Sequence, residues 1–519
     1  MKTDFFKSNL GAILLLLFIA GALFVNLGNL PLFDEDEGAY AEVTREMLET
    51  GNFLTPRLEG KPFFHKPPMI YWTQALSVRL FGLNEFAFRL PSAIASLVWA
   101  VLLFYFVRRY VGRQTAWFAA FFLVTSIQTG VITKAAIADA LLNLFICLTM
   151  FAIYAHFKTG KRRYMLAAFL GMGLGFITKG PIALAIPVVV SFIFYLLNKR
   201  FTEWLKTAFN PLGWFLFLII ALPWYLALYA EYGAHFVREM FLVHNLGRFQ
   251  GAMEGHSGPI FYYIPVVILG LMPFTIILLS AFAKIKRQWQ NELGRYLIIW
   301  FAFVFILFSL AGTKLHHYVV YGYVPLLIFM AQRVDKIKNG AWLVAPGIIG
   351  LAILLVLPTV ATFVIPLIHD DFAKLVVAGA MAQYGLGIKI AVAITLAATI
   401  FLGFSRRLDN RLKTVVLGLL LIVFGNGFLA PMVAGIMQQP VKEAALLAKK
   451  NNYAVVMWAM NYPSFNVYYG RTVLRHTPQP GDIVITKASK LNAFKAHEVI
   501  YEKHGVVLTR VEKFHYDGD

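Results

Sequence analysis

The sequence predicts a polytopic α-helical membrane protein, and three observations carry that prediction. Of 519 residues, 59% are apolar and only 14% charged, with a mean hydropathy of +0.67, well outside the composition of soluble domains. Apolar runs long enough to cross about 30 Å of hydrocarbon recur along most of the chain. Lys and Arg gather in alternate loops, as expected where basic segments resist translocation.

The apolar runs lie near 10–31, 89–107, 114–132, 137–157, 164–178, 181–197, 211–230, 259–283, 296–311, 317–331, 341–367, 386–404 and 414–436, giving about thirteen transmembrane helices by the criterion of roughly 17–25 residues each. Ala20-Gly21-Ala22 in the first run could pass for a cleavage site. The run continues to Leu32 without a polar break, which favours an uncleaved anchor. With the N-terminus inside, the inner loops hold 23 of the 47 Lys and Arg, from Lys2 and Lys7 to Arg411 and Lys413, against five acids. Most of the +20 net charge is therefore a topology signal, not a nucleic-acid footprint.

This topology leaves a long first loop (32–88) and a medium loop (231–258) outside, together with short turns and the chain beyond 437. The first loop opens on Asp34-Glu35-Asp36-Glu37, and Ala39, Val43, Met47 and Leu48 continue at helical spacing, so an interfacial helix is expected with the acids at its N-terminus. Capping accounts for some of those acids, Asp34 and Glu35 above all. A second interfacial helix is expected from Met69, entered through Pro67-Pro68. Beyond 437 the composition changes: a helical stretch with Lys442, Glu443, Lys449 and Lys450 precedes strand-like runs at 454–458, 483–486 and 506–510. That pattern predicts a small C-terminal α/β domain (437–519) after a membrane domain (1–436). Internal repeats are not evident, and the single Cys147 sits within an apolar run, which excludes an intrachain disulfide.

Residues with chemical potential cluster on the outer side. Asp36 and Glu37 head the first loop and Asp139 opens the fourth span, where an acid is usually paired or functional. Cations are supplied by His65, Lys66, Lys179, Arg248 and Lys314, with Tyr40 and Tyr318 near them in sequence. A snorkelling side chain is the plain alternative for Lys66. Guanidinium and ammonium groups suit phosphate, whereas carboxylates suit sugar hydroxyls, an amine or a positive anomeric centre. No nucleotide-binding glycine loop is present, so a glycosyl donor carried on a lipid phosphate and delivered from the bilayer reconciles these groups. The sequence assigns no cofactor. A divalent metal is compatible with His65, His316 and His317 beside Asp36, against histidines that contact phosphate or headgroups.

The motifs Asp36-Glu37-x-x-Tyr40-Ala41-Glu42, Arg45-Glu46-Met47, Lys66-Pro67, Asp139, Thr178-Lys179-Gly180, Asn245-Leu246-Gly247-Arg248-Phe249 and Lys314-Leu315-x-x-Tyr318 together resemble the bacterial aminoarabinose lipid A transferases, relatives of the protein O-mannosyltransferases. The resemblance runs from about residue 10 to 335 with the motifs in order. It implies a GT-C glycosyltransferase fold in the bacterial inner membrane, with the N-terminus cytoplasmic and the active site and C-terminal domain periplasmic. It also implies an undecaprenyl-phosphate sugar donor and an acceptor such as lipid A or another envelope glycolipid. By position, Asp36 resembles the family's catalytic carboxylate and Asp139 its second acid, with Glu37 beside them. Lys66, Arg248 and Tyr318 resemble the donor-phosphate ligands, to which Lys179 and Lys314 add charge, and Tyr40 and His65 would contact substrate. The aminoarabinose enzymes often carry Glu before the Lys-Pro pair. His65 stands there in this chain, leaving a neutral or acidic sugar open. Two other classes are a protein O-glycosyltransferase and a lipid or drug transporter. A transporter would place charges near the bilayer midplane, where these spans carry almost none.

Overall fold

The computed structural model describes residues 5–247, 251 and 257–514. Among the described residues seven helices are long and apolar enough to cross a membrane: Glu85–Tyr110, Asp139–Thr159, Pro211–His244, Glu292–Leu310, Gly340–Leu367, Leu386–Phe404 and Asn410–Met437. Asn9–Phe24 and Ile182–Leu197 are shorter apolar helices. The expectation of about thirteen uniform spans is therefore not matched by thirteen long helices. The 114–132 run breaks at Ser126 into Arg113–Thr125 and Ile127–Ile132, and the 259–283 run breaks near Pro273 into Tyr263–Gly270 and Thr275–Phe282. The 317–331 run begins as a 3-10 turn, His316–Gly322, before Tyr323–Ala331. Hydropathy responds to composition alone and does not register such breaks.

Helix starts are set locally. Side chains of Ser8, Asn84, Asn291, Asn339 and Asp409 each accept a backbone N–H from the first turn they cap, contacts worth about 1 kcal/mol each. The principal core joins the spans from residue 85 to 331, with Trp99, Trp300, Tyr296 and Tyr323 fully enclosed. In contrast, the most apolar windows of Gly340–Leu367 and Asn410–Met437 are only 11% and 17% buried, leaving apolar faces such as Leu357, Phe363 and Val423 outward. Those faces suit lipid.

The first loop forms both expected helices, Asp36–Thr50 and Met69–Phe81. Between them lies a hairpin, Arg57–Leu58 with Lys61–Pro62, whose turn donates Glu59 N–H (2.6 Å) and Gly60 N–H (3.0 Å) to the Glu46 carboxylate. Asp36–Thr50 is not a surface helix: Tyr40, Ala41, Glu42, Val43, Thr44, Arg45, Glu46 and Met47 are all buried. The C-terminal α/β unit covers it. There, a four-stranded sheet orders Val455–Met457, Ile483–Lys487, Val506–Phe514 and Phe494–Lys503, the first pair parallel and the others antiparallel. Helix Gln439–Lys450 packs against this sheet, and helix Pro463–Tyr469 faces Asp36–Thr50.

Candidate active site

Three of the four consecutive acids of the first loop, Asp34, Asp36 and Glu37, have separate fates. Asp34 accepts Ser464 N–H at 3.0 Å and also hydrogen-bonds the Ser464 hydroxyl. Burial pushes its carboxyl up to about 7, against the lowering effect of those two bonds. Glu37 is 5% exposed and joined to the Arg89 guanidinium at 2.7 and 3.0 Å. It also accepts Phe33 N–H (2.9 Å) and Ala136 N–H (2.6 Å). Burial opposes its charge, but Arg89 and the backbone donors hold the carboxyl below the usual carboxylate range. Arg89 in turn donates to the carbonyls of Leu27, Leu30 and Pro31. Glu37, expected beside Asp36 as a catalytic acid, is in this structure a staple joining the first-loop helix, the Glu85–Tyr110 helix and the 136 turn.

Asp36, at the first position of its helix, faces outward and makes no hydrogen bond or ion pair among the described residues. Its charge acts on Tyr71 and His317, from the second first-loop helix and the 316–322 turn respectively. Tyr71 is fully buried, its ring meets Tyr40 edge-on at 5.7 Å, and its hydroxyl has no partner among the described residues. A buried hydroxyl left so costs about 1–3 kcal/mol. Tyr40 lies one helical turn after Asp36, on the same face.

A second acidic centre forms around Asp139, which is 2% exposed. Lys179 Nζ donates to its two oxygens at 2.8 and 2.9 Å and to Tyr321 OH at 2.8 Å, while Tyr321 OH donates to Asp139 at 2.5 Å. His317 Nε2 lies 3.9 Å from the same carboxylate. The ammonium sits 5.3 Å from the Tyr318 ring centre. An ammonium has three N–H donors, and these three contacts occupy them. In this structure Lys179, expected beside the donor phosphate, is the counter-ion of Asp139, and Asp139, the expected second acid, is buried and paired. Lys314, also expected to add charge at the phosphate, has its Nζ donating to the Ser309 and Ala311 carbonyls at 2.8 Å each, closing the end of helix Glu292–Leu310.

His65 stacks between Phe63 (4.2 Å) and His244 (3.7 Å), so the Lys66 turn rests on the 238–247 segment that runs toward Arg248. Arg248 itself lies outside the described residues. Among the described residues no three His, Cys, Asp or Glu side chains are grouped to hold a metal. The set of His65, His316 and His317 is not assembled: His65 goes to His244, His317 goes to Asp139, and His316 is exposed.

Sequence reasoning missed Tyr321, Tyr71, Arg89 and Ser464. Tyr321 had a readable signal. In a 3-10 turn residues three apart share an edge, so Tyr318 and Tyr321 in His316–Gly322 lie together, their ring centres 6.4 Å apart.

Broken membrane helices, an interfacial acidic loop and a docked C-terminal α/β unit define a polytopic membrane protein of the GT-C glycosyltransferase fold. ArnT of Cupriavidus metallidurans, solved bound to undecaprenyl phosphate, superposes with a TM-score of 0.80 at 19% identity, covering 97% of this chain and 98% of that one. A family model described as dolichyl-phosphate-mannose-protein mannosyltransferase matches residues 65–226. An undecaprenyl phosphate-α-4-amino-4-deoxy-L-arabinose arabinosyl transferase of Shewanella sediminis is 34% identical over 343 residues, 63% of this chain and 60% of its own length. An uncharacterized protein of Aquifex aeolicus is 30% identical over 336 residues, 65% of this chain and 74% of its own. The chain belongs to one family with the Aquifex aeolicus protein, and it is similar to the aminoarabinose transferases and, over residues 65–226, to the mannosyltransferases. The match spans 60% of the length of the Shewanella relative.

Proposed function

We propose that this protein is an inverting glycosyltransferase that moves a sugar from undecaprenyl phosphate to an envelope acceptor, lipid A or a similar glycolipid. The observation that carries this reading is the state of Asp36. Asp34 and Glu37, two of its acidic neighbours, are engaged by the fold, whereas Asp36 is presented to solvent at the head of a rigidly buried helix. A carboxylate held like that is suited to meet a substrate.

Lys66, Arg248 and Tyr318 would receive the lipid phosphate, whose departure becomes easier as its charge is neutralised. If the acceptor is a hydroxyl, Asp36 takes its proton during attack. If the acceptor is an ionised phosphate, no base is needed, and Asp36 orients the donor and stabilises the cationic anomeric centre. Single displacement is the expected course, since the Asp139 group is committed to Lys179 and Tyr321 and is not free to act as a nucleophile. Tyr40 and His65 would border the sugar. The membrane is the bacterial inner membrane, with the N-terminus cytoplasmic and the loop and the 437–519 domain periplasmic, over a membrane domain of residues 1–436.

The test is mass spectrometry of lipid A and envelope glycans from membranes containing wild-type protein, Asp36→Asn or Arg248→Ala. A sugar increment abolished by both substitutions at equal protein level supports the reading and identifies sugar and acceptor. An increment on protein Ser or Thr selects the O-glycosyltransferase instead. An increment that survives in Asp36→Asn removes Asp36 from the reaction.

A further inference from the structure

The C-terminal unit touches the first loop where the candidate catalytic carboxylate is mounted. Asp34, two residues before Asp36, accepts Ser464 N–H at 3.0 Å and bonds the Ser464 hydroxyl. Leu32 N–H donates to Tyr468 OH at 2.7 Å, and that hydroxyl donates to Glu85 at 3.1 Å. Lys442 reaches the same Glu85 oxygen at 2.5 Å. In its preferred amide orientation Gln438 adds contacts to Asp34 and Leu32. The fit is close as well as polar. A Cβ at Gly38 would overlap the Asp34 carboxylate and lie 2.8 Å from Ser464 N, so only glycine lets the first turn of helix Asp36–Thr50 approach the Pro463–Tyr469 helix at this point.

These contacts restrain the chain on both sides of Asp36 in sequence. After it Glu37 is held by Arg89, and before it Asp34 is held by Ser464. Asp36 sits between two restrained neighbours and is itself unrestrained. One of the two restraints comes from the membrane domain, the other from the C-terminal unit.

We infer that Ser464 and Asp34 form a positioning clamp through which the C-terminal unit fixes the catalytic carboxylate for sugar transfer. The inference rests on Asp36 being the catalytic group, as proposed above. Ser464 touches neither substrate nor Asp36, so its effect is exerted through Asp34 and the helix N-terminus. Misplacing a reacting group by about 1 Å can cost a factor of about 100, which sets the scale for a loosened mount.

The experiment uses full-length protein in lipid nanodiscs and compares wild type, Ser464→Ala, Ser464→Thr and Asp34→Asn. Backbone hydrogen exchange over residues 32–40 is read beside kcat and KM for donor. The clamp predicts that Ser464→Ala raises exchange over 32–40 by about 3- to 10-fold, the loss expected for one side-chain hydrogen bond. It also predicts that kcat falls while donor KM holds, and that Ser464→Thr restores both. Unchanged exchange over 32–40 in both Ser464→Ala and Asp34→Asn overturns the clamp. So does an increase spread evenly over 439–514, which would mark general loosening of the C-terminal unit. If wild type transfers no sugar, the proposed function fails, and the exchange comparison still decides whether the clamp exists.

Discussion

Two acidic centres face the same side of the protein and are built on opposite plans. Around Asp139, one carboxylate is enclosed with Lys179, Tyr321 and His317, and its charge is cancelled in place. In the first loop, four carboxylates are adjacent, and the fold secures Asp34 and Glu37 while turning Asp36 outward. The contrast is that burial and pairing mark mounting groups, whereas Asp36, exposed and held through its backbone, is the acid we propose for the chemistry. A sequence reading weights all such acids alike.

The sharpest break in this comparison is Asp36→Asn, which should lower transfer by about 10²–10⁴-fold, the usual contribution of a positioned proton acceptor, with no change in thermal midpoint. Glu37→Gln should do the reverse, destabilising by about 3–5 kcal/mol because Arg89 is left buried without its counter-charge. A denaturation curve checks it, and a stable Glu37→Gln protein with dead chemistry would exchange the roles of the two acids. Lys179→Met should destabilise strongly for the same reason, and Lys179→Met with Asp139→Leu should recover part of that loss, since removing both charges removes the unpaired one. If instead Lys179→Met leaves stability intact and raises donor KM, Lys179 is a phosphate ligand after all.

Smaller effects sharpen the picture. Asp34 has a folded-state value of about 7 against an ordinary 3.8, so the docked arrangement is best satisfied with its carboxyl protonated. That contribution is complete below about pH 4 and is lost as pH rises through 7. Thermal midpoints taken across this window should decline for wild type more than for Asp34→Asn, whose side chain does not titrate; parallel profiles would contradict the assignment. Tyr71→Phe should leave stability unchanged or raise it by about 1 kcal/mol, because the deleted hydroxyl has no partner to lose. A clear loss of stability would reveal a bond that the hydroxyl does make.

The membrane architecture was legible because lipid demands long apolar helices and charge follows topology. The two first-loop helices were legible from spacing and from Pro67-Pro68. Their burial was not, because what covers Asp36–Thr50 is a segment more than 400 residues away, as Asp34 and Ser464 show with a separation of 430. The motif residues Asp139 and Lys179 were found, but whether they act or merely balance one another depends on Tyr321 and on a 2.8 Å contact, which spacing in sequence cannot supply. Lys314 misled for a related reason: a lysine just past a helix end serves carbonyls as readily as phosphates.

The bond between Asp34 and Ser464 also orders events in time. Asp34 precedes Ser464 by 430 residues, so the seven long apolar helices among the described residues are synthesised before the partner of the first loop. A nascent or truncated chain that stops before Ser464 holds those helices and still lacks the Ser464 contact at Asp34, so the first loop gains this support only after helix Pro463–Tyr469 has been made.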